Sequence, residues 1–399
     1  MSKCFGIAKV IIATIFCLIP FLASATNTVI EFWHSEPTHD LPFLEQQFAQ
    51  YEKVSGVEIR SIKIGFDDLK AELIGAAYED RLPDMILVPA DYLGSYELLK
   101  LSLIEPEDMP KVISAKSVET VTMGKTHWGV PMRQGNHLLM YYHTKRVTKP
   151  LTSMEDIVAL ATKKKYKHGS AIGWSFSEMF WFVPFIGAYG GWPMQGHDVT
   201  LNTPAVAKAL EKYKSLQQAG VVDLKCNYTC ARKRFIKGDY DYFIDGAWAY
   251  GGLHEELGKH FGVATLPSVD GHPLISMYST KALAFPNHGL TDPAKKARLV
   301  DFFHFLTSYD FQMRWHKATG HVPSHQQAAD ELHSQADPNL AAFFYQLEYS
   351  KMMPIVPEMG FAWQAMVRGF GRHLMHGFSA IDAAAYMQKS ALRDIKTNH

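Results

Sequence analysis

From residue 29 onward the apolar positions change period repeatedly, and each change marks a new element. Val29-Ile30-Glu31-Phe32 is a short apolar strand. Leu44, Phe48 and Tyr51 then recur at i, i+4 and i+7, which predicts a helix over about 41–54 with one buried face, stopped at Gly56. Residues 57–64 read as a strand, and Asp67 or Asp68 caps a helix carrying Leu69 and Leu73. The run Met85-Ile86-Leu87-Val88, bounded by Pro83-Asp84 and Pro89, has the unbroken apolar character of a strand covered on both faces. Strand, helix, strand, helix, strand predicts a parallel sheet with right-handed crossovers.

A second set of elements begins after Pro150. Ser153 heads a helix through Met154, Ile157 and Leu160, and Ala171-Ile172-Gly173-Trp174 is a strand leading into an aromatic segment that runs to Trp192. Thr203-Pro204 opens a helix with Val206, Leu210, Tyr213 and Leu216, stopped at Gly220. Residues 240–244 read as a strand, followed by Asp245-Gly246-Ala247-Trp248. With no low-complexity linker or short-period repeat between the two sets, the pattern predicts two α/β lobes joined by ordered strands.

The first 25 residues stand apart. Lys3 and Lys9 precede an apolar run, Val10 to Leu22, that ends at Ala23-Ser24-Ala25, the small-residue pattern of an export signal cleaved after Ala25. The run is shorter than the ~20 residues that span a bilayer. Of the 399 residues, 374 then form the mature chain, whose net charge shifts from zero to about −2 because Lys3 and Lys9 leave with the signal. A charge so close to balance argues against nucleic acid or an anionic membrane as the main partner. Only Cys226 and Cys230 remain, spaced as a local disulfide or half of a metal site. No neighbouring His or second Cys pair completes a zinc set, which favours the disulfide.

Ligands of open parallel sheets collect beyond the carboxyl ends of the strands. That rule selects Trp33, His34 and Glu36 after the first strand, Asp91 after the 85–88 strand, and Asp245 with Trp248 after the 240–244 strand. The segment Trp174-Ser175-Phe176-Ser177-Glu178-Met179-Phe180-Trp181-Phe182 is mostly core, but Glu178 is a charge in an apolar stretch, which needs a partner or solvent. A carboxylate beside exposed rings suits a sugar, whose hydroxyls want acceptors and whose C–H face packs on an aromatic ring. Catalytic templates are missing: His254-Glu255-Glu256 lacks the second His of a zinc peptidase, since position 258 is Gly258, and there is no nucleophile elbow or phosphate loop. His373 and His376 share a helical face without a third ligand, so no metal or cofactor is expected.

In their order these segments resemble the family 1 extracellular solute-binding proteins. The resemblance rests on Ile30-Glu31-Phe32-Trp33-His34-Ser35, Trp128-Gly129-Val130-Pro131, Phe235-Ile236-Lys237-Gly238, Asp245-Gly246-Ala247-Trp248, and Pro354-Ile355-Val356-Pro357-Glu358-Met359 before Trp363. It implies a two-lobed α/β fold of the type II periplasmic-binding-protein kind, each lobe a mainly parallel sheet flanked by helices, with the ligand cleft between them. The lobes would be 26–134 plus 280–334 and 135–279 plus 335–399. A monomer that delivers its solute to an ABC importer permease in the periplasm is the implied function.

By matching position, Glu36, Asp91, Asn136 and Glu178 would hydrogen-bond the solute beside Phe180, with Trp248 and Trp363 stacking on it; the rule about strand ends adds Trp33 as a stacking ring and His34 and Asp245 as neighbours. Val88, Tyr92, Pro37 and Asn136 depart from the maltodextrin-binding pattern, which argues against simple maltodextrin specificity. Tyr278 stands where a glycine-rich crossover is usual, as either a ligand contact or a bulkier hinge residue. Two alternatives remain: the same fold binding a glycerol phosphate ester through Arg133, and a secreted glycoside hydrolase using two cleft carboxylates.

Overall fold

The computed structural model describes residues 28–398; the export signal read at 1–25 lies outside them. The chain opens with strand Thr28–His34 (β1), helix Leu41–Ser55 (α1), strand Val57–Lys63 (β2), helix Phe66–Tyr78 (α2), and strands Met85–Pro89 (β3) and Val130–Gly135 (β4). It then crosses to a second body for Leu138–His143 (β5), Met154–Lys163 (α3), Ile172–Gly173 (β6), Met179–Ala188 (α4), Pro204–Gln218 (α5), Tyr228–Ile236 (α6), Tyr242–Gly246 (β7), Tyr250–Leu257 (α7) and Phe261–Ala264 (β8). Strand Met277–Ala284 (β9) returns to the first body for Pro293–Leu306 (α8), Tyr309–Thr319 (α9) and Val322–Pro323 (β10). Pro338–Glu348 (α10), Lys351–Met352 (β11), Glu358–His376 (α11) and Ala380–Asn398 (α12) complete the second.

The strands make two separate sheets, ordered β10-β4-β9-β3-β1-β2 with β11 beside β9, and β8-β5-β7-β6. Each carries its own apolar core. One is built on Phe32, Phe48 and Phe302, which pack edge to face, the other on Trp174, Phe182, Tyr213 and Phe370. This is the two-lobed α/β architecture. The parallel part is narrower than the strand–helix alternation suggested: β1 runs parallel to β2 and β3, and β7 to β6, while β9, β4 and β10 pair antiparallel, as do β7, β5 and β8. Returning strands insert from the other lobe, and local periodicity does not report their direction.

Local chemistry sets most element ends. Ser153 and Thr203 cap α3 and α5 by accepting the amides of Asp156 and Val206. Gly56, at φ 71°, ends α1 in the left-handed region where glycine carries no steric cost. Helix α2 departs from expectation, since its cap position is Gly65 rather than Asp67 or Asp68. The strand expected at 240–244 runs instead through Asp245 and Gly246. At the crossing, Gly135 (φ 113°) and Asn136 (φ 47°) both need positive φ, and Ser276 Oγ accepts the Leu138 amide at 2.9 Å, tying the two crossing segments together.

A buried polar relay runs through the second core. Tyr213 Oη accepts from Trp174 Nε1 and donates to the Phe176 carbonyl, both at 2.6 Å. Tyr213→Phe strands both partners in an apolar interior, so a loss of about 2–4 kcal/mol in urea unfolding is expected. A loss under 0.5 kcal/mol would show the relay to be dispensable.

Candidate functional site

The loop after β1 runs across the carboxyl ends of the first sheet and buries charge there. Glu36 is fully enclosed, with its carboxylate 3.1 Å from Arg133, 3.5 Å from Lys281 and 3.8 Å from His321. Arg133 on β4 and Lys281 on β9 are direct partners in register, which is why one carboxylate meets both. Burial alone would push the Glu36 carboxyl up, but Arg133, Lys281 and His321 outweigh it and hold it well below the usual range. Arg133 also donates to His321 Nδ1 at 3.1 Å, leaving His321 Nε2–H to donate to Asp40 at 2.6 Å. Burial and the Arg133 charge keep His321 below its ordinary pKa.

This network corrects two expectations. Arg133 is nearly inaccessible and already paired, so it has no free charge for an anionic ligand, and Glu36 is spent on its cations rather than presented to a solute. Glu36, Asp40 and His321 place ligand atoms within 4.8 Å of one another, the spacing of a metal set. Arg133 and Lys281 occupy the same ground, and two cations in contact oppose a third positive charge.

Trp33 and His34 are corrected as well. The Trp33 ring is packed in the first core, its Nε1 donating to Glu31 at 2.8 Å, so it offers no stacking face. His34 is fully buried, accepting the Glu36 amide at Nδ1 and bonding Ser61 Oγ at Nε2. Asp91 is half-buried just beyond β3, and burial pushes its carboxyl up against the pull of Lys70 and Lys281. Phe66, 60% exposed at the start of α2, lies above Lys281, whose Nζ is 5.9 Å from the ring centroid. Phe66 was missed, although its position just beyond the carboxyl end of β2 meets the same rule that selected Asp91. Asn136 is half-buried in the crossing turn. Tyr278 is buried on β9, with the Lys116 ammonium 4.8 Å above its ring.

The second lobe builds an aromatic wall. Phe180 lies 6.0 Å from Trp248, and Trp181 lies 5.9 Å from Phe180, Trp248 and Tyr228. A Cβ on Gly246 would collide with the Trp248 ring, which therefore lies on the backbone at the end of β7. Behind it Asp245 is fully buried, accepting from Tyr228 Oη at 3.1 Å and from the Gly246 amide at 2.7 Å, so it supports the wall rather than touching a solute. Burial pushes its carboxyl up to about 7. Tyr228 was missed because it reaches the wall from α6, seventeen residues earlier in the chain. Glu178 is exposed at the cap position of α4, one turn before the wall. Trp363, half-buried, sits on α11, which packs on α4 and on the 90–95 turn that holds Asp91.

The lobes touch across a seam. A Cβ on Gly251 of α7 would meet the Thr319 carbonyl at the end of α9 and come within 2.8 Å of His39 Nε2. Beyond it opens a cavity of about 780 Å³ bordered by both lobes, with His39, Thr319, Tyr250, His254 and Phe343 among its walls; Phe180, Trp248 and Trp363 do not border it.

The profile of bacterial extracellular solute-binding proteins matches residues 46–342. The sn-glycerol-3-phosphate-binding periplasmic protein of Brucella abortus (strain 2308) is 23% identical over 224 residues, 53% of this chain and 49% of its own. The chain therefore spans about half the length of that curated relative. Among solved structures, the maltose/maltodextrin-binding domain of Bdellovibrio bacteriovorus bound to maltotriose superposes with a TM-score of 0.81 at 21% identity, covering 92% of this chain and all of that one. The maltotriose-binding protein of Thermus thermophilus, also bound to maltotriose, gives 0.80 at 20% identity over the same shares.

Two outcomes follow from the geometry. Gly251→Val should prop the seam open, seen as a larger radius of gyration in small-angle scattering with the urea midpoint nearly unchanged; an unaltered radius would show that the seam does not hold the lobes together. The folded Asp245 carboxyl holds its proton more tightly than an unfolded one, with an ordinary pKa of 3.8, so its contribution is complete below about pH 4 and is lost as pH rises through about 7. Asp245→Asn should therefore flatten the pH dependence of urea unfolding and gain on the order of 3 kcal/mol over the wild type at pH 8 relative to pH 4. An unchanged slope would place the titration elsewhere.

Proposed function

The chain belongs to the bacterial extracellular solute-binding proteins, and from that premise we propose that it captures a carbohydrate in the periplasm and delivers it to the permease of an ABC importer. The observation that carries the sugar reading is the Trp248 ring laid on Gly246 and flanked by Phe180, with the Glu178 carboxylate exposed one turn away. A flat apolar face beside an acceptor suits the C–H face and hydroxyls of a sugar. Asp91, Phe66 and Trp363 would complete the grip from neighbouring elements. We take 26–134 plus 280–334 and 135–279 plus 335–399 as the two lobes of a monomer, exported after cleavage at Ala25. A solute that touches both lobes binds the closed form better than the open one, and closure is then a population shift needing no further device.

The name of the Brucella relative raises a phosphate ester as the second reading. Against it stands Arg133, buried and neutralised by Glu36, so that the charge this reading relied on is already used. A hydrolase is a weaker fit to a family of binding proteins.

Calorimetry on the mature chain against mono- and oligosaccharides and sn-glycerol 3-phosphate separates the readings. Micromolar or tighter binding of a sugar is expected, weakened at least tenfold, or about 1.4 kcal/mol, by Trp248→Ala. Binding of the phosphate ester alone, falling steeply with salt, would replace the sugar reading, and turnover of a chromogenic glycoside would replace the transport reading.

A further inference from the structure

Cys226 and Cys230 are joined in a disulfide, Cα to Cα 5.2 Å, that encloses the start of α6. As a staple it is poor. The stabilisation a bridge brings to the chain grows with the loop it closes, and four residues of separation leave almost no unfolded-state freedom to remove. Its location is more informative than its length. Cys226 is buried in the second core, and Cys230 packs against that core from its edge. Asn227, between them, already caps the helix by accepting the Cys230 amide at 3.0 Å. Tyr228 and Thr229 lie inside both the bridge and the cap.

Tyr228 is the joint of the aromatic wall. Its hydroxyl donates to Asp245 at 3.1 Å and accepts from Trp248 Nε1 at 3.4 Å, and its ring lies 5.9 Å from Trp181. Trp248 also meets the rings of Phe180 and Trp181 on α4 and lies on Gly246 of its own strand end. Tyr228 arrives from α6, and it arrives on the first helical residue, where an end ordinarily frays.

We propose that the Cys226–Cys230 disulfide is a positioning clamp for the solute site: it holds Tyr228 against Asp245 and Trp248, and so sets the stacking ring. This rests on the aromatic wall being part of the solute site, as proposed above. In this reading the bridge acts through Tyr228 and not by meeting the solute.

The test compares the wild type, Cys226→Ser/Cys230→Ser, Tyr228→Phe and the triple variant, with three readouts: dissociation constant for the sugar found by calorimetry, melting temperature, and acrylamide quenching of tryptophan emission with Trp248→Phe subtracted to isolate the Trp248 share. Removing the bridge should weaken sugar binding about tenfold and raise the quenching of Trp248. In the Tyr228→Phe background the same removal should change the dissociation constant less than twofold, because the path is already cut. Dithiothreitol on the wild type should reproduce the double-serine values. A lower melting temperature with unchanged affinity and unchanged quenching would make the bridge a staple only, and an equal affinity loss in both backgrounds would show that it acts by another route. Should no sugar bind the wild type, the carbohydrate reading fails while the quenching of ligand-free protein still decides the clamp: unchanged quenching on reduction overturns it.

Discussion

Glu36 is a carboxylate with no solvent, and the shape of the cleft follows from how that charge is compensated. Its partners come from β4 and β9, which lie side by side in the first sheet, and from the segment just before β10. Breaking such a buried pair by removing one member costs about 3–5 kcal/mol, because the remaining charge is left uncompensated. The loop from Ser35 to Asp40 is therefore pinned across three strands rather than free at a sheet edge. That pinning carries His39 to the seam, where it meets the two glycines of α7. A network that looks at first like a ligand site is better understood as the scaffold that sets where the first lobe meets the second.

The second lobe solves its problem differently. Its wall is apolar, and the buried carboxyl behind that wall, Asp245, has neither Lys nor Arg in hydrogen-bonding contact; a tyrosine hydroxyl and a backbone amide serve instead. Its pKa is raised where that of Glu36 is depressed, although both carboxyls are fully buried beyond strand ends or at them. The difference lies in the neighbours. Two cations in register make a carboxylate cheap to bury, and a ring of aromatics makes a protonated carboxyl preferable near neutral pH. The loop after β1 is thus fixed by charge, and the aromatic wall by packing and hydrogen bonds.

Much of the fold could be read from periodicity. The helix with Leu44, Phe48 and Tyr51 on one face, the doubly buried strand at Met85, and the capped helices after Ser153 and Thr203 all form where their apolar spacing and caps place them. The candidate site was legible in part. Trp248, Phe180, Glu178 and Asp91 keep exposed surface at or near the ends of their elements, whereas Trp33, His34, Glu36 and Arg133 turned inward. Trp248 and Asp91 come from the same rule about strand ends as Trp33, His34 and Glu36, and nothing in residue type separates a side chain that keeps exposed surface from one that is buried among charged partners. Phe66 and Tyr228 escaped notice because each looks ordinary in its own segment.

The sequence by itself determined two lobes, their alternating elements, and the short list of residues at strand ends, because hydrophobic period and capping chemistry are local properties of the chain. Tertiary structure alone decided which of those residues keep exposed surface and which face each other. Arg133 and Lys281 are separated from Glu36 by 97 and 245 residues, and Tyr228 comes to Trp248 from a different helix. Charge compensation and ring packing act over a few ångströms in space whatever the distance along the chain, so the roles of these side chains exist only once the strands are in register.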